Sequence, residues 1–277
     1  MTLTPSALRK ALKPCTFARR FVVAFSGGLD SLVLLHLLQD LNLQTPIIAL
    51  HINHQLSENA DHWQAHCERT CEALKIKCFS RSVTVVKGER GLEDAAREAR
   101  YREFSEFLEP GDWLLTGHHL DDQAETYLLR LTRGSGPRGL GGMPQTRKMG
   151  KGRIHRPFIN FSRKDLEAYA YEQGLNWVED ESNADLMFDR NYLRHEVIPP
   201  LKHRWHSILQ NIQRSARLSR ESEELNRELA AIDLFACYPR HDRYGLSIAL
   251  GYLKGCSAVR QKNIVRYWIE DNDVELP

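Results

Sequence analysis

The apolar positions of this chain fall into alternating runs of two kinds. Phe21 to Phe25 is apolar on both faces, as a strand buried inside a parallel sheet must be. Leu32, Val33, Leu35, Leu37, Leu38 and Leu41 then recur at helical spacing. Pro46 to Ile52 predicts a second buried strand. Ser57 to Leu74 follows as a helix, with Ser57 able to cap it and Trp63, His66/Cys67, Thr70/Cys71 and Leu74 on one face. Lys77 to Val86 alternates as a third strand. Leu92 to Leu108 predicts a helix with Ala95, Ala96, Ala99, Phe104, Phe107 and Leu108 inward, closed by Pro110-Gly111. Trp113 to Thr116 is a fourth strand. Strands and helices alternating at this spacing predict an α/β fold built on a doubly wound parallel sheet. Such sheets bind ligands beyond the carboxyl ends of their strands, where the strand order reverses.

Beyond the fourth strand the pattern changes. Gly134 to Pro144 is so rich in Gly and Pro that it reads as a mobile loop rather than a regular element. Ser162 caps a helix running to Gln173. An acidic turn, Glu179-Asp180-Glu181-Ser182-Asn183, precedes helices expected over Asn191–His203 and from Ile208 to about Phe235. A domain boundary is placed near residue 215. Residues 1–215 then form a first domain, and 216–277 only the start of a helical one. Three polar turns fall at predicted strand ends: Ser26 to Ser31, His51 to His54, and His118 to Asp122. Convergence of all three on one sheet edge is hard to obtain from packing alone.

The first turn carries the most chemistry. Ser26-Gly27-Gly28-Leu29-Asp30-Ser31 lies between strand and helix, where two glycines permit a tight turn and the helix N-terminus offers free N–H groups to an anion. A Walker loop would need a Lys-Ser/Thr pair after its second glycine, and a dinucleotide fingerprint three spaced glycines; neither is present. Asp30 would repel a phosphate unless a divalent cation bridged them.

Composition narrows the class. The 277 residues are 42% hydrophobic and 27% charged, with no apolar run approaching a membrane span. Met1 to Arg20 lacks the pattern of a secretory signal. These features, with a phosphate-type loop, predict a soluble cytoplasmic protein whose six cysteines are free thiols. His62, His66, Cys67 and Cys71 read as partly buried helix residues rather than a zinc site, because one helix supplies no closing ligand. Net charge is only +2 but uneven. Residues 130–164 hold ten basic side chains and no acidic one, and 190–220 hold seven against Glu196 alone. Both tracts suggest a polyanion larger than ATP; for the second, a solvated helix face is the plain alternative.

Taken in order, Ser26 to Ser31, His118-His119-x-x-Asp122-Gln123-x-Glu125-Thr126, Arg133-Gly134-Ser135-Gly136, Glu179 to Asn183 and Asp189-Arg190-Asn191 resemble the tRNA(Ile)-lysidine synthetase family. The first block alone is similar to the pyrophosphate loop of the wider ATP pyrophosphatase superfamily (PP-loop, adenine nucleotide alpha hydrolase-like). The resemblance covers nearly all of residues 20–215. Gln55 departs from it, standing where relatives often have glycine, and relatives carry further C-terminal domains.

The resemblance implies ATP-dependent adenylation of the wobble cytidine, position 34, in the CAU anticodon of a minor tRNA(Ile). L-lysine then displaces AMP to give lysidine, which changes decoding from AUG to AUA. It implies ATP and Mg²⁺ as cofactors, tRNA(Ile) and lysine as partners, a homodimer as one assembly, and a tRNA-binding role for the helical start at 216–277. Ser26, Gly27, Gly28, Leu29, Asp30 and Ser31 would hold the nucleotide, with Asp30 and Asp122 on the metal. His118 or His119 would orient the base or take a proton, and Arg97 and Arg100 would touch the nucleotide or the activated base. Helix-terminal charges for the aspartates, a structural role for one histidine, and ion pairs with Glu93 and Glu103 for the arginines stand beside those roles. A tRNA thiolase of the same superfamily is the first rival, but it needs a catalytic cysteine or a Cys-x-x-Cys pair, and neither pattern is evident. A non-catalytic tRNA-binding protein is the second.

Overall fold

The computed structural model describes residues 2–85, 92–243 and 245–271. The chain divides into two compact units, Met1–Leu129 with Met143–Asn211, and Arg130–Gly142 with Ile212–Pro277. The change of unit thus falls at 211/212 rather than 215, and the glycine-rich stretch sorts with the C-terminal residues.

In chain order the first elements are α1 (Pro5–Ala11), β1 (Arg20–Ala24), α2 (Leu29–Asp40), β2 (Ile47–Asn53), α3 (Ala60–Ala73), β3 (Lys77–Ser82) and α4 (Leu92–Phe107). They continue as β4 (Asp112–Leu115), α5 (Leu120–Thr132), α6 (Pro137–Leu140), β5 (Thr146–Met149), β6 (Gly152–His155) and α7 (Arg163–Glu172). Last come α8 (Asp189–Tyr192), α9 (Ile198–Arg204), α10 (Ile208–Ala236), β7 (Arg240–Asp242), β8 (Gly245–Ser247), α11 (Leu250–Gly255) and α12 (Ala258–Asp271).

Six strands form the first unit's sheet in the order β3-β2-β1-β4-β6-β5. All neighbours are parallel except the β5–β6 pair. The order therefore reverses between β1 and β4, as a doubly wound sheet requires. β1 explains its own composition. Phe21, Val23 and Phe25 pack into one core with α1, α2 and α7, while Val22 enters the other with β2, β4 and residues of α4. A strand covered on both faces cannot alternate polar and apolar residues. At the opposite end of the sheet from the polar turns, the buried carboxylate of Asp112 is held by Arg19 and Arg20.

The first four strands and the helices between them fall where periodicity placed them, with ends shifted by a few residues. The third strand stops at Ser82, Val83 to Val85 lie outside any strand, and Val86 lies outside the described residues. Ser57 does not cap α3; the cap position is Asn59, whose N–H donates to Ser57 Oγ at 3.1 Å. Ser162 does cap α7, in a reciprocal capping box with Asp165.

Three differences have physical causes. β5 and β6 are four residues each and carry Arg147, Lys148 and Arg153, so their apolar signal is too short to register. Charge on the edge strand β5 also discourages further pairing. The single helix expected over 191–203 is instead α8, a π-helical turn at Leu193–Val197, and α9. Pro199 and Pro200 have no N–H, so the carbonyls of His195 and Glu196 lose their α-helical donors and the turn before them widens. The glycine-rich stretch, read as lacking any element, holds the one-turn α6. The Arg130 guanidinium donates to the Gly139 and Gly142 carbonyls at 2.7 and 2.9 Å, and Arg220 to that of Gly141 at 2.5 Å.

In the second unit Leu234, Cys237 and Ile264 form a small core, and Arg260 and Tyr252 meet the buried carboxylate of Asp233. Glu270 binds both Arg138 and Arg227. No helix among the described residues is long and apolar enough to cross a membrane.

Candidate functional site

The site begins where β1 hands over to α2. Ser26 N–H donates to Ser31 Oγ at 3.2 Å, Gly28 N–H to Ser26 Oγ at 3.3 Å, and Ser31 Oγ donates to the Gly28 carbonyl at 3.0 Å. Both serines thus shape the loop, which ends at the N-terminus of α2, where first-turn N–H groups lack intrahelical partners. Gly27 has φ +81°, and a Cβ on it would stand 2.9 Å from Cys67 Sγ and 3.1 Å from Val178 Cγ2. The loop is therefore pressed between α3 and the segment after α7, and the Val178 N–H donates to the Gly27 carbonyl at 3.1 Å.

The neighbouring strand end is pressed just as close. A Cβ on Gly117 would lie 2.8 Å from the Asp30 carbonyl carbon. Only a residue without a side chain lets the β4–α5 turn meet the start of α2. That contact brings His119 onto Asp30, and the same ring faces Asp121 and Asp122.

Four carboxylates and four cations meet here. The His119 ring, 1% exposed, has Nε2 at 3.6 Å from Asp30 Oδ2 and 3.5 Å from Asp122 Oδ2, and Nδ1 at 3.8 Å from Asp121 Oδ2. Burial alone would push its pKa down, but Asp122, Asp30 and Asp121 outweigh burial and hold it up at about 9. These carboxylates favour the imidazolium form of His119. Asp122 Oδ1 accepts from Arg190 Nη2 at 3.0 Å and its Oδ2 from the His119 N–H at 2.9 Å. Burial acts to raise its pKa, and His119 and Arg190 overcome that and hold the carboxyl well below the usual range. Glu125, 1% exposed, takes Arg190 Nε at 2.6 Å and Arg194 Nε at 2.7 Å. Asp121 takes Lys202 Nζ at 2.9 Å and the Arg163 N–H at 2.8 Å.

His118 behaves oppositely to its neighbour. Burial first, then Arg156, Arg190 and Arg97, depress it to about 3 despite Asp122. Its ring is neutral at pH 7, and Nδ1 is 2.8 Å from Thr116 Oγ1.

Among the predicted residues, Ser26, Gly27, Gly28, Leu29, Asp30 and Ser31 share the loop; Asp122 is joined to Asp30 through the His119 ring, and His118 feels the charge of Asp122. Arg97 and Arg100 part company. The charge of Arg97 acts on His118, and its guanidinium lies 5.2 Å from the Tyr101 ring; Arg100 acts on His54, which burial and that charge hold at about 4. Glu103 pairs with Arg81 at 3.2 Å, and the Glu93 side chain lies outside the described residues. The acidic turn at 179–183 is exposed, and Asn59 Nδ2 donates to Glu181 Oε1 at 2.9 Å.

Sequence reasoning missed the ionic roles of Arg190, Arg194 and Lys202. They stood in a basic tract read as a polyanion surface or a solvated face; all three instead turn onto Asp121, Asp122 and Glu125. The two arginines are spaced i, i+4 from α8 into the π turn, and the buried Glu125 demanded cations, which was the signal available.

A divalent cation fits part of this donor set. Asp30 Oδ1 is buried with no hydrogen-bond partner, an orphan oxygen of the kind Mg²⁺ prefers. Asp122 has both oxygens engaged and would have to release Arg190 to become a ligand.

An α/β sheet with a glycine turn and a charged cluster at its switch point defines a nucleotide-binding class. The chain belongs to the PP-loop domain family, whose model matches residues 3–201. It is 47% identical over 272 residues to a tRNA(Ile)-lysidine synthase of Pseudomonas fluorescens, and 48% identical over 275 residues to one of Pseudomonas aeruginosa. Those alignments cover 96% and 95% of this chain but 61% and 62% of the relatives, so the chain spans about three fifths of their length. In fold it is similar to the U34-tRNA thiolase NcsA from Methanococcus maripaludis, with a TM-score of 0.63, 18% identity and 78% of each chain covered.

Proposed function

We propose that this chain carries the ATP-dependent ligase chemistry of a tRNA(Ile)-lysidine synthase. The likeness to curated relatives across nearly the whole chain supports the substrate assignment. The observation that carries the chemistry is the meeting of Asp30 with the His119–Asp122 pair at the end of the phosphate loop.

In this reading O2 of cytidine 34 attacks the α-phosphorus of ATP, and pyrophosphate leaves. The ε-amine of lysine then attacks C2, AMP leaves, and a proton is released. The α2 N–H groups and the loop around Ser26, Gly27, Gly28, Leu29 and Ser31 hold the departing pyrophosphate. Mg²⁺ on Asp30 Oδ1 would neutralise charge on the transferred phosphate. Asp122 holds His119 and Arg190 rather than offering a free oxygen. His118, uncharged, is suited to accept a hydrogen bond or a proton. The charge of Arg97 reaches His118. Such a reaction is mostly positioning and charge neutralisation.

The thiolase reading has a fold-level likeness behind it. It is disfavoured because the sequence holds no Cys-x-x-Cys pair and Cys67, the cysteine against the loop, is buried, which leads the upward shift of its thiol to about 12. The deciding experiment incubates the chain with ATP, Mg²⁺, labelled lysine and tRNA transcripts differing only at the wobble base, with elongator methionine tRNA as a second CAU substrate. Lysine entering only transcripts with cytidine 34 is expected. Equal labelling of all transcripts, or AMP formation without lysine transfer, would overturn the proposal.

A further inference from the structure

Tyr101 on α4 is surrounded by positive charge. The Arg97 guanidinium carbon lies 5.2 Å from its ring centroid, and that of Arg147 lies 5.5 Å away. Arg156 is adjacent and only 2% exposed. Its Nη1 donates to the Pro144 carbonyl at 2.7 Å, while its Nε is buried without a hydrogen-bond partner. The Tyr101 hydroxyl is buried beside the Arg156 guanidinium. Among the described residues no carboxylate forms a salt bridge with any of these three arginines. Burial pushes the Tyr101 hydroxyl up, and Arg97, Arg156 and Arg147 outweigh it, so the net shift is down. Burial also leads a downward shift at Arg156, where Arg147 and Arg97 add repulsion.

Clustering like charges around a buried guanidinium is costly unless an anion is to be received. The catalytic cluster across β4 is balanced, four cations against four carboxylates; this one is not. We propose that Arg97, Arg147 and Arg156 form a subsite for a backbone phosphate of the RNA strand that carries the reacting nucleotide. The inference rests on the reading of this chain as an RNA-modifying ligase and adds where its RNA is gripped.

Position favours RNA over ATP. Arg156 follows β6, and Arg147 lies on β5 opposite Ile154, so both sit at the carboxyl edge of the sheet. The strand order β1-β4-β6-β5 puts them two to three strands from the phosphate loop, about 10–14 Å at the usual spacing. His118, at the end of β4, stands between, and it feels both Arg156 and Arg97. A base reacting beside His118 with its phosphorus donor on the β1 side would leave its own backbone on the arginine side. The planar guanidinium fork suits a phosphodiester.

The test uses the whole 277-residue chain, an anticodon stem-loop RNA with cytidine at the wobble position, and ATP titrated separately. Arg147→Gln changes an exposed residue and should fold. Losing one phosphate contact should weaken stem-loop binding about fivefold near 0.1 M salt, flatten the log–log salt slope by about 0.7, and leave the ATP affinity unchanged. Arg147→Lys should recover part of the loss, and Tyr101→Phe should retain binding. Unchanged RNA affinity and slope in Arg147→Gln would overturn the subsite while leaving the ligase reading intact. A shift in ATP affinity without one in RNA affinity would reassign the cluster to the nucleotide and also overturn it. Failure of the unaltered chain to bind the stem-loop would remove both readings together.

Discussion

Replacing His119 with glutamine removes a cation that faces Asp30, Asp121 and Asp122 together. The folded-state pKa of His119 is raised from 6.5 to about 9. At 1.36 kcal/mol per unit this is about 3 kcal/mol of stabilisation for the protonated ring. The folded state binds the proton more tightly than the unfolded chain, so this stability is fully present below pH 6.5. It declines as pH rises through the window and is gone above about 9. Urea unfolding of the parent and His119→Gln at about pH 6, 7.5 and 9.5 should thus give differences of about 3, about 2 and near 0 kcal/mol. Asp30 is 31% exposed, so water recovers part of its interaction and the first two values are upper estimates. Buffers without divalent cations keep a metal on Asp30 from substituting for the ring. A difference that stays constant with pH, or disappears already near pH 6.5, would refute a buried imidazolium at this position.

Other substitutions probe the same geometry. Asp30→Asn should cut adenylation, read as AMP formation, by about a thousandfold or several kcal/mol, with the circular dichroism spectrum unchanged; near-normal AMP formation would remove Asp30 from the metal role. Gly117→Ala should push the β4–α5 turn off Asp30, because the new Cβ would lie 2.8 Å from its carbonyl carbon. A loss of about a hundredfold in rate with only about 1–3 kcal/mol of stability is expected, and an unaffected rate would show that the close approach is not needed. Glu125→Gln leaves Arg190 and Arg194 facing a neutral amide and should cost about 3 kcal/mol in urea unfolding; a change within error would mean that other groups neutralise both guanidiniums.

What the sequence determined by itself was local and periodic. A run apolar on both faces, as at Phe21 to Phe25, has no stable place except inside a covered sheet, so strands, helices and a doubly wound order followed from pattern. The phosphate loop was equally legible, since a Gly-Gly turn between such a strand and such a helix does its work with backbone N–H groups and needs no distant residue. Tertiary structure alone decided the charges. His118 and His119 are adjacent and chemically alike on paper, yet one is held near 3 and the other near 9: at His118 burial, helped by three arginines, outweighs Asp122, whereas at His119 three carboxylates outweigh burial. Arg190, Arg194 and Lys202 looked like a surface for a polyanion until folding turned them onto Glu125, Asp122 and Asp121. Gly117 gave no sign of its importance, because the atom it must avoid belongs to Asp30, far away in the chain. Periodicity records which side of an element is buried. It does not record which charges burial brings face to face, and Coulomb energies depend on that distance.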